Sequence, residues 1–246
     1  GGANELSRCL AAYLGGIACV TTATDVNGLF AIDEWAARNH MAISSMKAAK
    51  DFAAALVDKQ KVGLYLDEDF AITGSLPLNV EQKTDLPIGM AITLSSELQP
   101  FANTIRLTPC IVHLGIGCRR NTTLESIEAL VLPALNKLKL DMRSLAGVAS
   151  VDLKKDEQGL LAFAAKYKLP INFYTADELN EVDGDFSTSA FVQSVVGVSN
   201  VCERSAVKDS CGGKLLLHKT SLNGVTLAVA VEELIIDFNK TGLKRN

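Results

Sequence analysis

The sequence predicts an α/β protein of two lobes, each a β-sheet flanked by helices, with a cleft between them. Three observations lead there. From residue 109 onward, apolar runs of strand length alternate with segments of helical period, the pattern of a sheet layered with helices. Before that, Pro77, Pro87, Pro100 and Pro109 punctuate a stretch of short apolar pieces with few helices between them, as β-rich structure does. The 246 residues, 48% of them hydrophobic, also reach the size at which one core usually becomes two.

The elements follow in order. Leu6, Cys9, Leu10, Tyr13 and Leu14 fall at helical spacing within residues 4–14, and Gly15-Gly16 closes that helix, since glycine most readily takes the left-handed turn beyond a helix. A strand over 17–20 runs into Thr21-Thr22-Ala23-Thr24-Asp25, a loop of small hydroxyl side chains suited to meeting a ligand. Helices are expected over 32–39 and 47–57, a strand over 62–66, and short strand pieces at 76–79, 88–94 and 104–107. The lobe boundary falls near Thr108-Pro109.

Beyond it come strand 111–116, helix 123–138, strand 148–151, helix 156–167 and strand 171–174. Thr122 with Glu125, and Thr175 with Glu178, have the spacing of capping boxes at helix starts. Short helices over 189–196 and 204–209 precede strands 214–217 and 225–231. Asn223-Gly224 between those strands is a hairpin signal, and residues 239–246 read as a frayed tail.

Composition narrows the function. With 24 basic and 28 acidic residues and a net charge of -4, the chain lacks the field on which non-specific nucleic-acid binders rely. An anionic ligand must therefore meet a local basic cluster. Cys9, Cys19, Cys110, Cys118, Cys202 and Cys211 form no C-x-x-C pair and have no histidines at zinc spacing, so they read as the reduced thiols of a cytoplasmic protein. The apolar run from Val225 to Val231 halts at Glu232, short of the roughly 18 to 20 residues that span a bilayer. No membrane association is expected. The opening Gly1-Gly2-Ala3, without methionine or basic region, reads as an interior cut with no signal peptide.

The most informative segment is His113-Leu114-Gly115-Ile116-Gly117-Cys118-Arg119-Arg120-Asn121-Thr122-Thr123. It joins a buried strand to a capped helix through a turn holding glycines and two arginines. Backbone N–H groups at a helix start and guanidinium forks together suit a carboxylate or phosphate. A dinucleotide fingerprint would need glycine at position 120, and a phosphate-binding loop would end in Gly-Lys-Ser/Thr; neither is present. Two readings stay open on spacing alone: an anion site, or a tight turn with solvated arginines.

Gly115-Ile116-Gly117-Cys118-Arg119-Arg120, followed by threonine and a helix, resembles the opening of the carboxy-terminal domain of the CbiG family, which CobE proteins share. Gly1-Gly2-Ala3-Asn4-Glu5-Leu6 and Thr21-Thr22-Ala23-Thr24-Asp25-Val26-Asn27-Gly28 are similar to two motifs of the CbiG amino-terminal domain. Asp152-Leu153-Lys154-Lys155-Asp156-Glu157-Gln158-Gly159-Leu160, Lys219-Thr220 and Gly224-Val225-Thr226 resemble later ones. Thr188 and His218 stand where the family usually shows proline, and 58–107 matches weakly. On this resemblance, 1–57 is the remainder of the amino-terminal domain, 58–108 a middle region, 109–235 the CobE-like domain and 236–246 a tail.

The resemblance implies hydrolytic opening of the δ-lactone of cobalt-precorrin-5A, with C20 lost as acetaldehyde. Asn4, Thr22, Thr24, Gly115, Gly117, Arg119, Arg120, Thr122, Lys154 and Lys219 are its substrate-binding candidates. The Gly115–Arg119 turn would supply oxyanion donors, with Glu157 and Asp25 as candidate general bases. Each acid also has a plainer reading, Glu157 as a helix cap and Asp25 as an orienter of its loop.

Cys118 reads either as a nucleophile activated by its helix start or as a spectator thiol. No Gly-x-Ser-x-Gly elbow occurs, and of His40, His113 and His218 the second reads as a satisfied core histidine. No protein cofactor is expected, because cobalt arrives within the substrate. Other cobalamin-pathway enzymes and a second copy are the expected partners. A non-catalytic corrinoid carrier is the alternative function, and a nucleotide-binding α/β module a third.

Overall fold

The computed structural model describes residues 2–15, 29–184, 186 and 200–239. The chain divides into two compact units, one up to Pro109 rejoined from Leu234, the other Cys110–Glu233. Among the described residues no helix is long and apolar enough to cross a membrane.

The first unit carries α1 (Gly2–Leu14), α2 (Ile32–Arg38), β1 (Met41–Ile43), α3 (Met46–Val57), β2 (Val62–Leu66), β3 (Ala71–Thr73), β4 (Val80–Glu81), β5 (Ile88–Ile92) and β6 (Asn103–Pro109). Its main sheet has the order β1-β6-β5-β2-β4, parallel except for β1 against β6. The Ser45 hydroxyl opens α3 by accepting the Ala48 N–H at 3.2 Å, as capping serines do. Ala48, Ala49, Phe52, Ala55 and Leu56 then form one buried stripe against the sheet. Gly63 and Gly89 face each other across β2 and β5. A Cβ on either would come within 2.1 or 2.5 Å of the Phe101 ring, so the pair forms the slot that this ring fills.

Three strands of this unit escape the sequence reading: β1, β3 and β12 (Ile235–Asp237), each three residues long. Such pieces are too short for periodicity to register. Strand β12 pairs parallel with β3, Ile235 opposite Ala71, so Ile236 and Asp237 leave the expected tail and join a sheet. Phe238 then stacks on Trp35 at 4.8 Å between ring centroids. The piece expected at 76–79 is a turn, with Val80 N–H donating to Pro77 C=O at 3.1 Å, and the strand is β4. The expected strand 17–20, the threonine-rich loop and the helix 189–196 lie outside the described residues.

The second unit carries β7 (Val112–Cys118), α4 (Leu124–Lys137), β8 (Leu145–Val151), α5 (Gln158–Tyr167), β9 (Ile171–Tyr174), α6 (Ala176–Asn180), α7 (Val201–Asp209), β10 (Lys214–Leu222) and β11 (Val225–Val231). The sheet order is β10-β11-β7-β8-β9, with β7, β8 and β9 parallel and β10 and β11 antiparallel. Asn223 and Gly224 both take positive φ, 50° and 85°, the two-residue turn that matches strand twist.

The two faces of this sheet differ by residue size. Ala228 and Ala230 pack against Cys202, Ala206 and Val207 of α7, and Gly115 lets that helix closer still. A Cβ on Gly115 would lie 1.8 Å from the Cys202 carbonyl oxygen. By strand alternation, the buried Leu227, Val229 and Val231 fill the other face, where α4 packs. The Thr175–Glu178 capping box is formed on both sides. The expected box at Thr122 is displaced: Thr123 is the cap of α4 and accepts the Ser126 N–H at 3.3 Å.

Candidate functional site

Strand β7 does not stop at Ile116 but continues to Cys118, which takes both glycines of the signature into the sheet. Gly115 is buried against α7, and a Cβ on Gly117 would meet Thr226 Oγ1 at 2.6 Å. Both are paired on the β11 side. Their absent side chains make room for α7 and Thr226, so the expectation that Gly115 and Gly117 form a ligand-facing turn is corrected. The turn is residues 119–123, and Asn121 carries it at φ 58°, a conformation that asparagine tolerates.

Glu157 holds this turn in place. It stands at the N-cap of α5 but makes no side-chain cap. Its Oε2 accepts the Asn121 N–H at 3.0 Å, while Oε1 lies 3.5 Å from Lys154 Nζ. Two residues on, Gly159 touches the same turn, since a Cβ there would lie 2.1 Å from the Thr122 carbonyl oxygen. The starts of α4 and α5 are thereby brought together around a hollow of about 590 Å³. Arg120, Thr122, Thr123, Leu153, Glu157, Gln158 and Gly159 are among its walls.

This arrangement can hold an anionic arm. The α5 start has no side-chain cap, so the N–H groups of Gln158 and Gly159 remain available at the wall, and aligned helix peptides favour negative charge there. Arg120 adds a guanidinium, and the threonine hydroxyls add donors. Arg119 is exposed, with its stem over the β10–β11 turn: its N–H donates to Gly224 C=O at 3.1 Å, and Gly224 leaves only enough room for its Cδ. Thr122 Oγ1 donates to the Arg119 carbonyl at 2.8 Å.

Of the sequence candidates, Arg120, Thr122 and Glu157 therefore share the hollow, and Arg119 and Lys154 adjoin the turn that forms it. Lys219 is not among the lining residues; its N–H donates to Glu203 Oε1 at 2.6 Å. Asn4 lies on α1, while Thr22, Thr24 and Asp25 fall outside the described residues. Burial pushes the half-buried Cys118 thiol up, against the partial offset of Lys154, which removes the lowered pKa that the nucleophile reading required.

Two groups were missed from sequence. Glu203 is wholly buried in the first turn of α7, where Asn200 Nδ2 donates to its carboxylate. The available signal was an acid beside the apolar stripe of Cys202, Ala206 and Val207. The second is the company of His113, whose Nδ1 faces Asp209 Oδ2 at 2.6 Å and whose Nε2 faces Glu232 Oε1 at 2.7 Å. Asn172 Nδ2 and Tyr174 OH each donate to Asp209 Oδ1 at 2.8 Å. His113 is thus a satisfied core histidine.

The family described as cobalamin synthesis G C-terminus matches residues 112–230, and that described as cobalamin biosynthesis central region matches 30–109. The chain is 34% identical over 241 residues to the cobalt-precorrin-5A hydrolase of Salmonella typhimurium, covering 94% of the chain and 68% of that protein. It is 27% identical over 247 residues to the cobalt-precorrin-5A hydrolase of Priestia megaterium, covering 94% and 66%. The chain thus spans about two thirds of the length of these relatives. The crystal structure of CobE, a protein from the cobalamin (vitamin B12) biosynthetic pathway, is 30% identical and covers 49% of this chain and 89% of its own, with a TM-score of 0.46.

Proposed function

Because the chain belongs to the cobalt-precorrin-5A hydrolase family, the CbiG proteins of cobalamin biosynthesis, we propose that it opens the δ-lactone of cobalt-precorrin-5A by hydrolysis. C20 leaves as acetaldehyde and cobalt-precorrin-5B remains. The observation that carries this reading is the 34% identity to the Salmonella hydrolase across 94% of the chain, with the hollow at the starts of α4 and α5 as the feature that fits a carboxylate-fringed macrocycle.

In this reading Arg120 and the opening N–H groups of α5 take a rim carboxylate, and Arg119 and Lys154 add charge beside it. Water attacks the lactone carbonyl, and the N–H groups of the 119–123 turn meet the oxygen that becomes negative. The proposed general bases are Glu157, which lines the hollow, and Asp25. A cytoplasmic setting accords with the unpaired Cys9, Cys110, Cys118, Cys202 and Cys211.

The test is Glu157→Gln. The amide oxygen can still accept the Asn121 N–H, so the turn is kept while the basicity is removed. Acetaldehyde release from cobalt-precorrin-5A should be lost while the macrocycle still binds, followed by its absorbance. Unchanged turnover would remove Glu157 from the chemistry. Wild-type protein that binds the macrocycle but never releases acetaldehyde would be the carrier instead.

A further inference from the structure

Strand β10 is the edge strand of the second sheet, and its pairing with β11 breaks register between Leu217 and Thr220. His218 and Lys219 occupy this irregularity. The Lys219 N–H is taken instead by the carboxylate of Glu203 at 2.6 Å. The same carboxylate oxygen lies 3.4 Å from His218 Nδ1, and the two side chains differ sharply in burial: Glu203 is 0% exposed and His218 74%.

An exposed imidazole with a buried carboxylate behind one ring nitrogen is a recognisable arrangement. The carboxylate only accepts, so the neutral ring carries its proton on Nδ1 and its lone pair on Nε2. Metal-binding histidines are oriented in this way, the partner fixing the tautomer and raising ligand basicity. Burying Glu203 with no lysine or arginine paired to it costs free energy. The hydrogen bonds from Asn200 and Lys219 offset part of that cost and hold the carboxylate in one position.

We propose that His218 Nε2 is an axial ligand for the cobalt of the substrate's macrocycle, with Glu203 as the positioning residue behind it and Lys219 placed to meet a neighbouring rim carboxylate. The inference rests on the proposed substrate. The step is ligand exchange: the Nε2 lone pair forms a bond to cobalt and a water leaves, with no change of oxidation state. Because His218 stands where the family often has proline, the contact belongs to this chain and adds affinity for the metal-bearing ring without being needed for hydrolysis.

The experiment titrates wild type, His218→Ala and His40→Ala with aquacobinamide and with a metal-free corrin. Wild type should red-shift the cobinamide spectrum, and the reduced Co(II) form should show three-line nitrogen splitting in its electron paramagnetic resonance. His218→Ala should lose both signals and bind cobinamide about tenfold more weakly, in the range seen when a metal's protein partners are removed. Its affinity for the metal-free ring should be unchanged. His40→Ala, an exposed histidine on the other unit, should behave as wild type. A shift retained in His218→Ala, or lost in His40→Ala, overturns the assignment. Binding of both rings without any shift sinks this inference alone, whereas binding of neither by wild type sinks the proposed substrate with it.

Discussion

The Nδ1 atom of His113 lies 2.6 Å from Oδ2 of Asp209, and the opposite ring nitrogen is equally occupied, 2.7 Å from Glu232 Oε1. Ionised carboxylates only accept, so both ring nitrogens must donate, and the imidazole must be charged. Burial works against that charge, but the hydrogen bonds to Asp209 and Glu232 outweigh it and raise the His113 pKa. For Asp209 burial raises the pKa, and the hydrogen bonds from His113, Asn172 and Tyr174 overcome it, for a net lowering.

The signs give a stability profile with two limbs. A raised histidine pKa contributes stability that is complete below the unfolded value of about 6.5 and fades as pH climbs through the folded one. A lowered aspartate pKa contributes stability that is complete above the unfolded value of about 3.9 and is lost as pH falls through the folded one. Urea unfolding followed across pH should therefore show stability declining from pH 7 toward pH 9, and His113→Gln should flatten that limb whatever it costs overall. An alkaline limb of the same steepness in the variant would mean that another group sets it.

In the first unit, Phe101 and its two facing glycines make a separable claim. Truncating a buried phenylalanine usually costs about 3–5 kcal/mol, and Phe101→Ala should fall in that range. Gly89→Ala should cost much in wild type, because its Cβ would stand 2.5 Å from the ring, yet little once the ring has gone. A double-mutant cycle by chemical denaturation should return a coupling of about 1–3 kcal/mol between the positions. Simple additivity would show that the glycines serve strand geometry alone.

How much of this was legible depends on the range over which each feature is encoded. The α3 stripe and the Thr175–Glu178 box are written in spacings of three and four residues, and both stand in the structure as read. The Gly-x-Gly of the signature was legible as a place without side chains but not as to why. Gly115 answers to Cys202, far along the chain, and no local spacing reveals that partner. Glu157 was found as a site residue, but its bond to Asn121 joins two turns that only the folded sheet brings together. His113 was readable as buried, while Asp209 and Glu232 lay beyond any motif. Strands β1, β3 and β12 are held by their neighbours more than by their own residues, so their three-residue lengths gave nothing to read.

The three signature glycines should separate packing from function. Gly115→Ala sets a Cβ 1.8 Å from a backbone oxygen of α7, and backbone cannot rotate away, so the helix must shift. Overpacking of this kind costs about 1–3 kcal/mol or more, and Gly115→Ala should lie at the upper end by thermal or urea unfolding. Gly117→Ala meets only the Thr226 hydroxyl at 2.6 Å, a side-chain tip that can change rotamer, and should cost less. Gly159→Ala presses at 2.1 Å on the Thr122 carbonyl, in a turn on the surface of its unit. That turn can give way without unfolding the sheet, but its movement pulls the Asn121 N–H from Glu157 and reshapes the hollow. Gly159→Ala should therefore keep most of its stability and lose at least tenfold in kcat/KM for acetaldehyde release, about 1.4 kcal/mol of transition-state stabilisation. If its turnover stays intact while Gly115→Ala, still folded, loses activity at the chemical step, the working surface lies on the α7 side of the sheet and not at the starts of α4 and α5.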